Sequence, residues 1–197
     1  MTTTDAPVDD RTEADKDAFV TRLRAAVGTT SGGSTARDPV NQPMIRHWCD
    51  AMEDHNPLYT DPETAAGSLH GEIVAPPAML NAWGMAGLGG ARRAAPANAQ
   101  DSPLAALDEA GFTSVVATNS EHVYERYLRL GDVLSGVQTV EDVSDEKQTA
   151  LGVGHFVTTR TRYTDQNDDE VGSLLFRILK FRPGTGRHVL WMIPSVP

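Results

Sequence analysis

The residues 54–59 read DHNPLY and carry the side chains best suited to chemistry. Asp54 supplies a carboxylate that can act as an acid or a base, and the Asn56-Pro57 dipeptide predicts a tight turn. Tyr59 follows, where a general base would be wanted. A phenol has a pKa of about 10 and keeps its proton near neutrality, whereas imidazole, at about 6.5, is the usual base. The segment therefore offers an acid and lacks an evident base.

Two histidines lie near this segment in the chain and are candidates for the missing base. His55 is adjacent to Asp54, but neighbouring side chains diverge in an extended turn. His70 precedes Gly71, so it either lines a pocket or faces solvent. The remaining histidines have no metal-ligand spacing, and no metal site is expected; they are His47, His122, His155 and His188.

The elements around the segment 54–59 are predicted from periodicity. Apolar residues at helical spacing predict a helix ending at Gly28 and a second over 41–53, with Pro43 near its start, which leads into the segment. The residues 29–35, TTSGGST, are typical of a linker. The apolar run PPAMLNAWGMAGL, residues 76–88, predicts a central helix buried on all sides. A further short helix is expected within 103–111.

The C-terminal half changes to β-branched and alternating segments. Four strands are predicted, within the ranges 113–128, 132–145, 147–165 and 170–181. Short connections between consecutive strands favour an antiparallel sheet. An apolar helix followed by such a sheet predicts an α+β fold in which the sheet wraps round the helix.

Several motifs in this order resemble the MaoC-like family of hot-dog-fold enoyl-CoA hydratases and dehydratases. They are DHNPLY at 54–59, Asp61, the Ala65-Ala66 pair and GEIVAPP at 71–77. The family's loop has histidine where this chain has Tyr59, and its Asp and His together add water to a trans-2-enoyl thioester. The resemblance implies a hot-dog domain over 37–182, with a degenerate catalytic pair at Asp54 and Tyr59.

Further blocks resemble one branch of that family, the larger MaoC subunit of the heteromeric steroid side-chain enoyl-CoA hydratase of actinobacteria. The blocks are VNQPMIRHW, IVAPPAM, WGMAGLGG, VVATN, KQTALG and FRILKF. This resemblance implies that a smaller MaoC-like partner supplies the catalytic Asp and His in a heterotetramer, and that the substrate is a cholesterol-type side-chain thioester. In that subunit a C-terminal OB-fold domain docks an aldolase, so the resemblance also implies an aldolase as a further partner, although the sequence to Pro197 does not contain that domain. No cofactor is expected beyond the coenzyme A of the substrate.

The resemblance also implies where the substrate lies. In such hot-dog enzymes the backbone N–H groups at the start of the central helix bind the thioester oxygen; because Pro76 and Pro77 have none, Ala78 and Met79 are left. The expected substrate-binding residues are Asn56, Pro57, His70, Ala78, Met79 and Trp83. Arg92 and Arg93 are expected to bind the phosphates of CoA, with Arg126 and Arg129 as further candidates.

Composition restricts the remaining functions. Seventeen Lys and Arg against 27 Asp and Glu give a net charge of −10, which disfavours nucleic acid and anionic membrane surfaces as partners. A single cysteine excludes an internal disulfide, and the acidic N-terminus lacks the order of a signal peptide, so a cytoplasmic location is expected. Residues 1–36 are expected to be a mobile acidic N-terminus with a short helix, and 183–197 a tail.

Three functions remain open at this stage. The first is a substrate-binding subunit whose partner performs the chemistry. The second is a self-sufficient R-specific enoyl-CoA hydratase or 3-hydroxyacyl dehydratase in which His55 or another group replaces the base. The third is a non-catalytic acyl-CoA-binding or scaffold subunit.

Overall fold

The computed structural model describes residues 11–31, 33–85 and 102–186, and within them one antiparallel sheet dominates. The strands are β1 (Ser34–Thr35), β2 (Ser114–Tyr124), β3 (Ser135–Val143), β4 (Lys147–Gln148), β5 (Val153–Thr164) and β6 (Glu170–Phe181). They lie in the order β1-β3-β5-β6-β2, with β4 paired to β5. The predicted antiparallel sheet and α+β class are confirmed.

The helices begin at recognisable caps. They are α1 (Glu13–Arg24), α2 (Gln42–Met52), α3 (Pro62–Ala66), α4 (Leu80–Trp83) and α5 (Pro103–Glu109), with 3-10 helices at Pro57–Tyr59 and Pro77–Met79. Thr12 and Asp15 form a reciprocal capping box at the start of α1. Asn41, Asp61 and Ser102 cap α2, α3 and α5 with their side chains. Short polar residues therefore mark the starts of these four helices.

Two clusters of buried side chains lie along the sheet. The first, which we call the α4 cluster, packs helices α2 and α4 against the sheet and contains Ile45, Tyr59, Met79, Trp83 and Tyr163 among others. The second, the α1 cluster, is formed by Leu23, Leu107, Phe112, Val143 and Val157. The N-terminal helix therefore packs on the same sheet as the central helix.

The central helix differs from its prediction. Its described part consists of the 3-10 turn at Pro77–Met79 and α4, which ends at Gly84 instead of continuing to residue 88. Met79 and Trp83 are buried, but Ala78 and Asn81 face outward and Met85 is 67% exposed. The expectation of burial on all sides was wrong, because only one side of this short helix contacts the sheet.

Close contact between helix and sheet depends on Gly172 in β6. A Cβ atom there would lie 2.9 Å from Leu80 Cδ2 and 2.5 Å from the carbonyl oxygen of Val123 on β2. Neither distance is tolerated between real atoms, and the carbonyl belongs to the backbone of a paired strand. The single hydrogen of glycine therefore sets the spacing of helix, central strand and edge strand.

Two local predictions need correction, and one strand pairing is not between neighbours in sequence. The expected linker at 29–35 contributes β1, which pairs Ser34 with Gly136, and a bridge between Thr30 and Thr139. The strand expected within 147–165 is divided into β4 and β5, which pair with each other. Strand β2 pairs with β6, not with its neighbour in sequence. These pairings depend on distant partners that local propensity does not specify.

Within the described ranges, no helix is long and apolar enough to cross a membrane. Over the same residues, no group of three or more His, Cys, Asp and Glu side chains is arranged to hold a metal ion.

Candidate functional site

Helix α2 delivers Asp54 to the site through its C-terminus. Glu53 adopts a left-handed conformation with φ of 53°, which ends the helix. The turn allows the N–H of Asp54 to donate to the carbonyl oxygen of Cys49 at 2.9 Å. Asp54, which is partly buried, therefore leaves a rigid helix end and not a free loop.

The residues after Asp54 are fixed by consecutive side-chain to backbone hydrogen bonds. Asp54 Oδ1 accepts from the N–H of Asn56 at 3.1 Å, and Asn56 Oδ1 accepts from the N–H of Leu58 at 3.1 Å. Asp61 then accepts from the N–H of Glu63 at 3.0 Å to start α3. These Asx turns and caps explain why the Asn56-Pro57 turn predicted from sequence forms here.

Tyr59 turns inward from this loop, and its side chain is only 7% exposed. Burial raises the pKa of the phenol above its usual value, and the neighbouring Tyr127 and Asp54 raise it further, while a hydrogen bond from Asn56 acts in the opposite direction. The phenol therefore stays protonated over the whole neutral range. Tyr59 is therefore an even poorer candidate for the base than an exposed tyrosine would be.

His70 and Tyr127 meet next to Tyr59, although 57 positions separate them in the chain. Their rings lie 4.5 Å apart between centroids with an angle of 52° between the planes. The backbone brings them together, because the N–H of Ala75 donates to the carbonyl oxygen of Leu128 at 2.9 Å and Val74 pairs with Arg129. His70 is thus brought to the candidate site, whereas His55 is exposed.

An ion-pair network fixes the backbone beside Tyr127. Arg126 Nη1 donates to Asp132 Oδ2 at 2.7 Å and to the carbonyl oxygen of Tyr127 at 3.0 Å, and Nη2 donates to Asp165 Oδ2 at 2.8 Å. Asp132 also accepts from the N–H of Arg129 at 2.8 Å. The charge of Arg126 is neutralised within the fold, so it is a poor candidate for CoA phosphates. Arg129 is 3.5 Å from Glu72 and more exposed.

The start of the central helix offers fewer donors than expected. The N–H of Met79 donates to the carbonyl oxygen of Pro76 at 2.9 Å, so it is occupied within the turn. Pro76 and Pro77 have no N–H. Ala78 remains, and it is exposed. Of the two donors expected from the sequence, one is therefore left to face a ligand.

The expected binding residues fall into three groups. Asn56 and His70 lie beside Tyr59 or Tyr127, and Pro57 and Ala78 are exposed on neighbouring loops. Met79 is fully enclosed and Trp83 is 4% exposed, so both pack in the α4 cluster of this chain. Arg92 and Arg93 lie outside the described residues. Roles in substrate binding stay predictions for all of these residues.

Sequence reasoning did not single out Tyr127. It lies in the segment YERYLRL after a predicted strand, and nothing in that pattern distinguishes it from an ordinary strand end. Its importance follows from contacts with Tyr59 and His70, which come from distant parts of the chain.

Comparison with known proteins agrees with this architecture. Residues 25–173 match the model of the FAS1-like dehydratase domain region. A probable enoyl-CoA hydratase alpha subunit from Thermomonospora curvata is 46% identical over 82% of this chain and 51% of its own length. The 3-oxo-4,17-pregnadiene-20-carboxyl-CoA hydratase alpha subunit from Mycobacterium tuberculosis is 45% identical over 75% of this chain and 47% of its own length.

Solved structures give the same result for the fold. A chain of the ChsH1-ChsH2 complex from Mycobacterium tuberculosis superposes with a TM-score of 0.74 and 42% identity, covering 87% of this chain and 98% of that one. A MaoC-like dehydratase from Rhodospirillum rubrum, at 21% identity and a TM-score of 0.55, covers 80% of this chain and 93% of its own and shares the fold.

The sheet, the central helix and these matches define the class: this is a hot-dog domain of the MaoC-like type. The chain belongs to the family of FAS1-like dehydratase domains, and it is similar to a probable enoyl-CoA hydratase alpha subunit. It spans about half the length of the curated relatives it matches.

Proposed function

We propose that this chain is the substrate-binding subunit of a heteromeric enoyl-CoA hydratase for steroid side-chain thioesters, and that a smaller MaoC-like partner supplies the catalytic Asp and His. One observation carries the proposal. The position of the family's histidine is held by Tyr59, a buried phenol whose pKa is raised by burial and by its neighbours.

The chemistry explains why this substitution matters. Hydration needs a base to take a proton from the attacking water, an acid to protonate the adjacent carbon, and donors for the thioester oxygen. Replacing an imidazole by a neutral phenol as the base costs about 4 to 5 kcal/mol, since the usual pKa values differ by about 3.5. That energy corresponds to a rate that is lower by about a thousandfold or more. Asp54 cannot serve as both base and acid.

A partner is supported by the edge of the sheet as well as by the relatives. Among the described strands, β2 pairs only with β6, and Val115, Val123 and Tyr124 are 58%, 43% and 43% exposed. A long strand edge with exposed apolar side chains is a surface that a second subunit can extend or cover. The names of the similar proteins include two alpha subunits and a two-protein complex. A heterotetramer with the smaller subunit follows as the proposed assembly, with an aldolase as a further partner of the longer relatives.

The steroid-type substrate is supported by the printed name of the Mycobacterium tuberculosis relative. Among this chain's own residues, Ala78 and Asn81 are exposed on the outward side of the central helix, and Met85 is exposed directly after its end. Met79 and Trp83, which were expected to line the pocket, pack behind them. We therefore assign substrate contact to the outward side.

One contact supports the alternative that this chain is an enzyme by itself. His70 lies against Tyr127, which borders Tyr59, so an imidazole is close to Asp54's neighbourhood. In that case this chain alone would be an R-specific hydratase or dehydratase, and His70→Ala would abolish its turnover. His55 is less suited because it is exposed.

The test compares the chain alone with the chain co-expressed with a smaller MaoC-like subunit that carries an intact Asp and His. Loss of the enoyl absorbance of crotonyl-CoA and of a steroid-type enoyl-CoA measures turnover, and the mass of the purified complex gives its composition. We expect turnover only from the pair. Strong turnover by the chain alone would instead support a self-sufficient hydratase or dehydratase.

A charged substitution on the outward side of the central helix distinguishes a substrate-binding subunit from a scaffold. Ala78→Asp should weaken substrate binding by the pair at least about tenfold, since a carboxylate would face the thioester oxygen. Ala150→Asp, at an exposed turn, is the matched control and should bind normally. Equal binding by both variants would favour the scaffold reading.

A further inference from the structure

The residues 126–132, between β2 and β3, are hydrogen-bonded to both parts of the chain that lead into the candidate site. On one side, the N–H of Val40 donates to the carbonyl oxygen of Asp132 at 2.8 Å. On the other side, the N–H of Ala75 donates to the carbonyl oxygen of Leu128 at 2.9 Å. One short segment therefore connects the start of α2 with the start of the central helix.

Helix α2 carries the position of Val40 to Asp54. Asn41 caps the helix directly after Val40, and Asp54 follows the C-cap at its other end. A helix of 11 residues is about 16 Å long, so a tilt of about 5° at its start displaces its far end by about 1.4 Å. Groups that bind a ligand have to be aligned to within about 1 Å, so a tilt of this size weakens binding.

The start of the central helix is held in a similar way. Ala75 is followed by Pro76 and Pro77, whose rings fix their φ angles, and then by the exposed Ala78. Few torsion angles can therefore change between Ala75 and Ala78, and the hydrogen bond of Ala75 fixes the position of both.

The guanidinium group of Arg126 holds the segment 126–132 itself. Its two Nη atoms bind Asp132, the carbonyl oxygen of Tyr127 and Asp165 at 2.7 Å, 3.0 Å and 2.8 Å. Asp132 and Asp165 are only 7% and 6% exposed. Among the described residues, Arg126 is the one basic side chain that forms an ion pair with either carboxylate. Its removal would leave two buried carboxylates without a counter-charge.

We propose that Arg126 and Asp132 are positioning residues, whose ion pair holds the segment 126–132 and thereby sets the relative position of Asp54 and Ala78 that an acyl thioester requires. The proposal rests on the proposed function, because that function supplies the ligand. A planar guanidinium binds several acceptors in fixed directions, which an ammonium group does not. The geometry of the Arg126 side chain, and not its charge alone, is therefore required.

The first test separates affinity from stability. The probe is butyryl-CoA, a saturated thioester that cannot be hydrated. In the assembly with the smaller subunit, calorimetry should show that Arg126→Gln weakens butyryl-CoA binding at least about tenfold, because the site is no longer aligned. Arg126→Lys keeps the positive charge, so in urea denaturation it should recover most of the lost stability, but it should recover little of the affinity. Wild-type affinity in either variant would overturn the proposal.

Lys180→Gln is the matched control, because it removes another basic side chain that is paired within the fold. Lys180 is buried and forms an ion pair with Asp108 of α5, the helix that contributes Leu107 to the α1 cluster. Lys180→Gln should lower the urea midpoint, as Arg126→Gln does, and should leave the affinity for butyryl-CoA unchanged. Equal losses of affinity in the two variants would show that Arg126 acts only through overall stability, contrary to the proposal.

Asp132→Asn tests the other member of the pair with a smaller disturbance. It keeps the shape of the side chain and an oxygen that can accept from the N–H of Arg129, so it should fold even if Arg126→Gln does not. We expect it to weaken butyryl-CoA about 3- to 10-fold, as one weakened hydrogen bond implies. Combined with Arg126→Lys, its effect should be less than additive. Fully additive losses would contradict a common role for the two residues.

Backbone hydrogen exchange in the purified chain tests the positioning without a ligand. The N–H groups of Val40 and Ala75 donate to the segment 126–132, so Arg126→Gln should speed their exchange at least about tenfold. The N–H of Ser144, which donates to Phe156 beside the α1 cluster, should keep its rate. Unchanged exchange at Val40 and Ala75 would overturn the proposal.

The outcomes for this inference and for the proposed function are distinct. If the assembly fails to form, or if the chain turns over crotonyl-CoA unaided, the proposed function is wrong, and hydrogen exchange still decides whether Arg126 holds the two parts of the site. If the assembly forms and binds butyryl-CoA, but Arg126→Gln binds it as well as the wild type does, the positioning role alone is wrong.

Discussion

Two regions of the molecule place a histidine against aromatic rings, with opposite results. At the α1 cluster, His155 is completely buried, with Phe19 and Phe112 at 5.9 Å and 4.9 Å from its ring. At the candidate site, His70 and Tyr127 are both partly exposed, and their ring centroids lie 4.5 Å apart. The imidazole of His155 is fully enclosed in the fold, whereas the imidazole of His70 keeps an exposed surface that a ligand can reach.

The enclosure at the α1 cluster is complete enough to leave a polar atom without a partner. His155 Nδ1 is 3.0 Å from the carbonyl oxygen of Ser144, while Nε2 has no hydrogen bond and lies 3.8 Å from Glu146. Burial lowers the pKa of His155 despite these favourable neighbours. The contrast therefore predicts that mutations in the α1 cluster change stability, whereas mutations beside Tyr59 change ligand chemistry.

The largest effect is expected from Phe112→Ala. Phe112 is fully buried and contacts both Phe19 and His155, so its removal should lower the free energy of unfolding by about 3 to 5 kcal/mol. Urea denaturation measures this loss. The affinity for butyryl-CoA, measured at a temperature where the variant is folded, should not change. A large loss of affinity would show that packing in the α1 cluster also affects the candidate site.

A second prediction restores the missing base. Tyr59→His places an imidazole on the short helix that follows Asp54, so the chain alone should gain crotonyl-CoA hydration by at least about tenfold, which is modest beside the full effect of a positioned base. Tyr59→Phe, which cannot accept a proton, is the control. An unchanged rate in Tyr59→His would favour a base elsewhere, such as His70.

The third prediction concerns pH and stability. Because the folded chain holds His155 neutral with a lowered pKa, the unfolded chain binds more protons in acid. The stability from neutral His155 is fully present above the usual histidine pKa of about 6.5, and is lost as pH falls below it toward the folded value. His155→Gln should reduce the slope of unfolding free energy between pH 5 and 6.5. An unchanged slope in His155→Gln would show that His155 does not cause the pH dependence.

The smallest change in stability is expected from an exposed ion pair on the sheet. This pair gives a reference value for the effect of a surface mutation. Arg160 pairs with Glu141, and both side chains are well exposed, at 43% and 34%. Replacing Arg160 by Gln should cost less than about 0.5 kcal/mol, because water and salt screen the pair. Thermal unfolding at low and high salt checks this. A loss of unfolding free energy above about 1 kcal/mol would show that an exposed pair can matter for stability as much as buried packing does.

Local sequence predicts much of this fold because much of it is encoded locally. Asn41 and Pro43 mark the start of α2, and the four β-rich segments each contain a strand of the observed sheet. The loop at 54–59 was found because its residue types are unusual together. The extent of the central helix was not predicted correctly, since an apolar run does not reveal which side of a helix meets the sheet.

The remaining features depend on contacts between distant residues. The pairing of β2 with β6, the edge strand at Ser34–Thr35 and the contact of His70 with Tyr127 each join segments far apart in the chain. The ion pairs of Arg126 belong to the same category, since Asp165 is 39 positions away. Periodicity and residue type describe one segment at a time, so they do not predict these contacts.

Gly172 has a mechanical consequence for the whole domain. Val123 and Leu80 both occupy the space that a side chain at position 172 would fill, so the outermost strand and the central helix bear on one point of β6. A single methyl group added at position 172 would therefore displace the edge strand β2 and press on the helix that follows the turn exposing Ala78.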